Sequence, residues 1–171
     1  CDPEGGFFDT RDDHEPLLYR PKDLQDNATP SGNALAACAL LQLASYGDLP
    51  EYRDLTDRFL GSIQEMLARY PTAFAQWLCA ADFTLGPVVE VAIIGVKNHP
   101  KTTELLNSLK NRYRPRLVVA YSDFPPAPDS PALLKDRLLK DGIPTVYVCR
   151  GFICRQPTNS ITEMITQLEQ F

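Results

Sequence analysis

The sequence lacks the features that mark several functional classes. It contains no apolar run near the roughly 20 residues that a membrane-spanning helix requires. Its 17 Lys and Arg residues are outnumbered by 22 Asp and Glu residues, and the resulting net charge of −5 argues against a broad nucleic-acid surface. No Gly-x-Gly-x-x-Gly motif follows an apolar strand, so a dinucleotide site is not expected. We therefore predict neither a membrane nor a nucleic-acid partner, and no cofactor.

Histidine and cysteine are also scarce. The two histidines, His14 and His99, have no metal-ligand spacing, so we expect exposed loop histidines and no metal. The five cysteines are an odd number, and Cys38 and Cys79 lie in Ala- and Leu-rich stretches where a thiol packs as a small hydrophobe. No secretory signal is visible in the acidic, Gly-rich first residues. A reducing, cytoplasmic location is predicted.

The first residues, CDPEGGFFDT, are typical of the interior of a protein and not of its start. We expect the chain to be a fragment of a longer protein. Its main partner would then be the remainder of its own chain. Residues 1–32 are rich in Asp, Pro and Gly, which predicts a long loop that packs on other structure or has a function of its own.

The part of the sequence from residue 1 to 86 predicts a helical hairpin segment. A helix over 34–46 is apolar on nearly every face and is expected to be buried all round. A second helix, starting at Asp48 or Pro50, carries an apolar face with spacings of three and four residues. The short connection predicts an antiparallel hairpin. A third helix is predicted over 73–82, with Trp77 in the core.

The pattern changes at Gly86-Pro87, and residues 87–171 predict an α/β segment. Strands are expected at 88–95, 116–122 and 144–149, because these stretches are β-branched and bounded by breakers. Helices are expected at 101–113, 132–140 and 159–171, the last with Asn159 or Ser160 as its N-terminal cap. Strands that alternate with helices indicate a small three-stranded, mainly parallel βαβαβ sheet with a closing helix. The predicted fold class is α/β, in two domains, 1–86 and 87–171.

The loop before the first helix is the strongest candidate ligand site. Asp26, Ser31 and Asn33 place a carboxylate, a hydroxyl and an amide beside a helix N-terminus, which carries free N–H groups and partial positive charge. They could hold a sugar hydroxyl or a carboxylate. The alternative is that they only cap the helix and shape the turn. Asp9, next to two phenylalanines that could stack on a sugar ring, has a similar alternative as part of a Gly turn before core aromatics.

Cys149 and Cys154 are separated by four residues, which is not the Cys-x-x-Cys redox spacing. The stretch YVCRGFICRQP predicts a tight hairpin with Arg150-Gly151 at its turn. In that register Cys149 faces Phe152, and Cys154 lies diagonally from it, at about 7–8 Å. That separation exceeds the usual disulfide geometry unless the register is slipped or bulged. Plain packing, a redox pair and metal binding stay open as alternatives.

Several stretches together resemble one family: GGFFDT, RPKDLQDNATPSGNALAA, EYRDLTDRFL, LCAADF with VEVAIIG, and VYVCRGFICRQP. They are similar to the C-terminal end of the thioredoxin-domain-containing proteins related to spermatogenesis-associated protein 20. The resemblance implies a longer chain with an N-terminal thioredoxin-like domain and an α/α toroid, similar to N-acylglucosamine 2-epimerases and six-hairpin glycosidases. This segment would supply the last toroid hairpins. Family members often have Ser after PSGN, where this chain has Ala34.

The resemblance leads to three functional hypotheses. The first is a structural, cavity-wall domain of a carbohydrate-binding or carbohydrate-active toroid, with a small carbohydrate ligand near Asp9, Asp26, Ser31 and Asn33. The parent protein would then be a sugar-modifying enzyme, and this segment alone would not be catalytic. The second is a non-catalytic protein-interaction domain. The third is a thiol-redox accessory domain that uses Cys149 and Cys154.

Overall fold

The computed structural model describes Asp2 and residues 5–171. Over these residues the chain forms five α-helices and one four-stranded sheet, so it is a mixed α/β protein. It divides into two compact units. The helical unit comprises the chain up to Ala44 together with Leu49–Leu85, and the sheet unit comprises Ser45–Asp48 together with Gly86–Phe171.

The helical unit contains a long N-terminal loop and three helices: α1 (Gly32–Gly47), α2 (Pro50–Arg69) and α3 (Ala75–Leu85). A 3₁₀ turn at Pro71–Ala73 separates α2 from α3. Trp77 is fully buried, as predicted, and its ring meets Phe59 edge to face at 4.9 Å. Contacts of this geometry contribute about 0.5–1.5 kcal/mol beyond the burial of the rings.

The prediction that α1 is buried all round is wrong for this chain. Leu41 is fully buried, whereas Leu35 is 48% exposed and Leu43 49% exposed. The helix has an apolar composition on every side, but the other elements of the helical unit cover only part of its circumference. An apolar stripe is therefore left facing outward.

The sheet unit contains four strands and two helices: β1 (Val89–Gly95), α4 (Pro100–Lys110), β2 (Leu117–Asp123), β3 (Thr145–Arg150), β4 (Ile153–Cys154) and α5 (Ile161–Glu169). The strand order is β2-β1-β3-β4. β1 and β2 are parallel, while β3 is antiparallel to both β1 and β4. Ser160 caps α5, as one of the two predicted alternatives, because its hydroxyl accepts a hydrogen bond from the Glu163 amide.

The predicted three-stranded, mainly parallel sheet is therefore wrong in strand number and in direction. The predicted helix over 132–140 is reduced to a 3₁₀ turn, Ala132–Leu134. The Tyr147 hydroxyl accepts a hydrogen bond from the Leu138 amide and donates one to the Leu138 carbonyl, so that backbone is held by a strand side chain. β3 therefore begins at the same end of the sheet at which β2 finishes. Asp123, the last residue of β2, pairs with Gly95, and Thr145, the first residue of β3, pairs with Ile94.

Each face of the sheet has its own cover. One face forms an apolar core with α4 and α5, in which Ile93, Leu105, Val146 and Met164 are fully buried. On the other side, the 3₁₀ turn packs against β1 and β2 and buries Leu133. The sheet unit accordingly closes its core from both sides.

Candidate functional site

The loop residues predicted to bind a ligand are brought together around the start of α1. Both oxygens of the Asp26 carboxylate are engaged: Oδ1 accepts from the Ser31 amide at 2.8 Å, and Oδ2 accepts from the Gln76 amide at 2.7 Å. The second contact lies in the first turn of α3, where a carboxylate is favoured by the exposed N–H groups. Asp26 therefore ties the loop to the beginnings of two helices.

Ser31 and Asn33 are buried in the same network. The Ser31 hydroxyl accepts from the Ala34 amide and donates to the Asp23 carbonyl. It therefore caps α1, as one of the predicted alternatives. The Asn33 side chain accepts from the Phe7 amide at 2.7 Å and donates to the Phe7 carbonyl at 2.9 Å. The Asn33 side-chain amide thus satisfies both the N–H and the carbonyl of Phe7, as the backbone of a paired β-strand would.

Asp9 lies on the outer part of the loop and is exposed. Its carboxylate accepts a hydrogen bond from the Asp23 amide at 3.0 Å. Gly6 allows the loop to approach both Phe59 and Asn33 closely. It has a φ of +85°, and a Cβ atom there would lie 2.4 Å from the Phe59 ring and 2.9 Å from the Asn33 Oδ1. The four predicted ligand residues all bind the loop's own backbone or a helix start. Their sugar-binding role stays a prediction.

A cavity of about 420 Å³ lies beside this loop and is lined by Phe7, Phe8 and Arg20, among others. The Arg20 guanidinium stacks on the Phe8 ring at 4.2 Å and donates a hydrogen bond to the Thr10 carbonyl. Because the guanidinium already covers one ring face, Phe8 offers only its other face for stacking on a sugar.

The apolar stripe of α1, defined by Leu35, Ala39 and Leu43, is the second notable feature of the helical unit. These residues are spaced by four and are all exposed, so they lie along one side of the helix. α3 runs beside α1, since the Gln76 side chain donates to the Cys38 sulfur at 3.2 Å. Its Leu78 is also exposed.

The two cysteines of these helices differ in setting. Cys79 is exposed and Cys38 is half-buried, and both are free thiols. Burial raises the pKa of the Cys38 thiol above its ordinary value, while the hydrogen bond from Gln76 opposes that shift. Cys38 should therefore be a poor nucleophile at neutral pH, because the thiolate is the reactive form. The expectation that Cys79 is buried is wrong.

In the sheet unit, Cys149 and Cys154 form a disulfide with an S–S distance of 2.06 Å. The predicted diagonal register is wrong, because Cys149 pairs directly with Cys154 and Arg150 with Ile153. The turn is Gly151-Phe152, and both residues have positive φ angles of 56° and 62°. That conformation is the type I′ turn that matches the twist of paired strands. The turn lies one residue later than predicted, which moves the cysteines into opposition.

Two charged residues near the disulfide were not predicted. Glu90, on the central strand β1, is only 5% exposed, and its carboxylate accepts a hydrogen bond from the Phe152 amide at 2.9 Å. The Arg137 Nη2 lies 3.8 Å from the Cys149 sulfur. A sequence signal existed for Glu90, as the lone charge in the apolar run VVEVAIIG. Arg137 gave none, because the predicted helix placed it on a different element.

The histidines lie outside these sites. His14 is exposed, as predicted, but His99 is half-buried and caps α4, its Nδ1 accepting from the Lys101 amide. Within Asp2 and residues 5–171, no group of three or more His, Cys, Asp or Glu side chains could hold a metal ion. No helix in the same part of the chain is both long and apolar enough to cross a membrane.

The sequence is similar to spermatogenesis-associated protein 20 of two mammals. The human protein is 28% identical over 86% of this chain, and the mouse protein 27% identical over 99% of it. An uncharacterised protein of Caenorhabditis elegans is 23% identical over 97% of the chain. These similarities support the family resemblance that the sequence motifs indicate.

The chain spans about a fifth of the length of these relatives: 19% of the human protein, 22% of the mouse protein and 23% of the nematode protein. No protein-family model matches the sequence. No solved structure matches it either.

Proposed function

We propose that this chain is a non-catalytic packing domain of a longer protein of the spermatogenesis-associated protein 20 kind. In this proposal, the α1 stripe of Leu35, Ala39 and Leu43 is covered by helices that precede this segment in the same polypeptide. The observation that carries the proposal is the half exposure of Leu35 and Leu43 on a helix that otherwise belongs to the core.

Three points support a segment of the same polypeptide as the occupant. The relatives are about five times longer than this chain, so they contain enough sequence for further helical hairpins. The resemblance to an α/α toroid implies inner helices that are surrounded by other helices. The stripe itself is uncharged, and a complementary apolar helix face would bury it without leaving polar groups unpaired.

The first of the three hypotheses, a wall for a carbohydrate cavity, is compatible with this packing role. The loop of Asp9, Asp26, Ser31 and Asn33 would then rim a cavity of the longer protein. These side chains are already hydrogen-bonded within the loop. A sugar would therefore have to use their remaining lone pairs, or groups supplied by other segments.

The packing role is tested with the double variant Leu35→Gln/Leu43→Gln in two contexts. In the 171-residue chain, both residues are surface positions, and such changes typically alter stability by within about 0.5 kcal/mol. In the full natural polypeptide, the same variant should lose about 2 kcal/mol or more, because burial of each leucine is worth about 1.5–3 kcal/mol. Denaturant titration, monitored by hydrogen exchange of the α1 amides, measures the stability change in each of the two contexts.

The matched control is Leu138→Gln/Ile153→Gln, which removes two exposed apolar side chains from the sheet unit. Light scattering of the 171-residue chain provides a second measure, since an uncovered apolar stripe promotes self-association. The α1 variant should reduce self-association more than the control. If the longer polypeptide tolerates the α1 variant as well as the control, the stripe is not covered by that polypeptide.

A further inference from the structure

We propose that Cys149 and Cys154 form a thiol–disulfide exchange site, in which an incoming thiolate attacks the Cys154 sulfur and Cys149 leaves as a thiolate beside Arg137. The site lies in the sheet unit and is independent of the packing role proposed for the helical unit. Its substrate class is a thiol or dithiol reductant.

The position of the bond favours reversible chemistry. The two cysteines lie directly opposite each other on β3 and β4, with a Cα–Cα distance of 3.9 Å. Next to the disulfide, the Arg155 amide donates a hydrogen bond to the Val148 carbonyl, and this backbone contact does not depend on the S–S bond. The turn is also held by the hydrogen bond from the Phe152 amide to Glu90. Reduction should therefore leave two thiols facing each other, ready to be oxidised again.

The two sulfurs are not equivalent, which gives the reaction a direction. Cys149 is fully buried, whereas Cys154 is partly exposed on the short strand β4 at the edge of the sheet. A thiolate must approach the sulfur that it attacks from outside, along the S–S axis. The accessible target is therefore Cys154, and the leaving group is Cys149.

Arg137 stabilises that leaving group. Its Nη2 lies 3.8 Å from the Cys149 sulfur, while its guanidinium stacks on the Tyr147 ring at 4.9 Å and its Nε donates to the Leu133 carbonyl. These contacts hold a permanent positive charge next to the atom on which negative charge develops. A better-stabilised leaving thiolate speeds exchange.

The reaction balances as two successive exchanges. The first thiolate forms a bond to Cys154 while the Cys149–Cys154 bond breaks, and the released electron pair remains on Cys149. A second thiolate, from the same dithiol or from another thiol molecule, attacks the reductant sulfur of this mixed disulfide and releases Cys154. The protein gains two electrons and two protons, and the reductant becomes a disulfide.

The cytoplasmic location predicted from sequence suits such a bond, since disulfides of reducing compartments are mostly transient and catalytic or redox-sensing.

The first test compares reduction rates of the folded chain for the parent sequence, Arg137→Met and Arg150→Met. Arg150 is the matched control, because it is exposed and adjacent to Cys149 in sequence. Glutathione and reduced thioredoxin serve as separate reductants, and alkylation with mass spectrometry of the 145–155 peptide reports the bond. We expect Arg137→Met to slow reduction about three- to tenfold and Arg150→Met to leave it within about twofold. A preference for one reductant identifies the source of the thiol.

The second test locates the attacked sulfur and does not depend on the arginine variants folding. The unsubstituted chain is treated with limiting reduced glutathione, and the protein thiol released by the first exchange is alkylated at once. Mass spectrometry should find glutathione on Cys154 and the alkyl group on Cys149. Glutathione on Cys149, or on both cysteines in equal amounts, would overturn the proposed direction. A disulfide that resists both reductants until the sheet unit unfolds, or equal rates for the two arginine variants, would overturn the exchange site.

Discussion

The helical unit and the sheet unit differ in how completely they cover their apolar elements. In the sheet unit, the internal strand β1 is covered on both faces, and its Ile93 and Ile94 are fully buried. In the helical unit, α1 has an equally apolar sequence but keeps Leu35 and Leu43 half exposed. The core around this strand is closed within one short segment of chain, while the edge strand β4 leaves Ile153 exposed. A helix that is apolar all round needs neighbours on every side, which the other two helices and the loop do not supply.

The largest expected effect contrasts two leucines of the same helix, Leu41 and Leu43. Leu41 is fully buried and Leu43 is 49% exposed. Leu41→Ala should lower the free energy of unfolding by about 2–5 kcal/mol, because it leaves a cavity in the core. Leu43→Ala should change it by about 0.5 kcal/mol or less.

Urea denaturation monitored by Trp77 fluorescence measures this contrast, since the only tryptophan lies in the core of the helical unit. The two substitutions remove the same atoms from the same helix, so each controls for the other. Similar losses for both variants would mean that the stripe is already covered in the isolated chain, and the contrast between the two units would disappear.

An intermediate effect is expected from the loop network. Asn33→Ala removes both hydrogen bonds to the Phe7 backbone and should destabilise the helical unit by about 1–3 kcal/mol, because partly buried polar groups lose their partners. Hydrogen exchange should show faster exchange of the Phe7 amide while the amides of β1 keep their protection. Asn27→Ala serves as control, as the Asn27 side chain only accepts from the adjacent Ala28 amide. A loss no greater than that of the control would contradict the structural role of Asn33.

The smallest effect concerns the sheet unit at high pH. The hydrogen bond to Asp123, followed by burial and the carboxylate charge, raises the pKa of Tyr121 from 10.0 to about 12. Since the folded-state pKa is raised, this contribution to stability is fully present below pH 10 and is lost as the pH rises through about 12. Tyrosinate absorbance should show one tyrosine ionising late, and Asp123→Asn should bring it closer to pH 10. Asp129→Asn, at another exposed site, should leave the titration unchanged.

Part of this fold could be predicted from sequence because local chemistry decides it. The apolar runs of β1, β2 and β3, the amphipathic α2 and the Ser160 cap each follow from residue type and spacing. The stretch after Pro131 could not be predicted in the same way. Its paired leucines have helical spacing, yet Asp136 takes a positive φ of 57° and Leu138 bonds to Tyr147. A tertiary hydrogen bond there overrides the local preference.

In the candidate sites, too, local sequence decides some features and tertiary contacts decide others. The sequence identifies the polar residues of the loop and the two closely spaced cysteines, since these depend only on residue type and order. Their use is decided by tertiary structure. Asn33 binds the Phe7 backbone, 26 residues away along the chain.

By itself, the sequence determined the helix-then-sheet order, the apolar character of α1 and the presence of a Cys149–Cys154 hairpin. Only the tertiary structure decided the direction of β3, the disulfide register and the setting of Arg137 against Cys149. The physical reason is that residue spacing fixes which face of an element is apolar. Strand direction and one-residue register depend on contacts between residues that are distant in sequence.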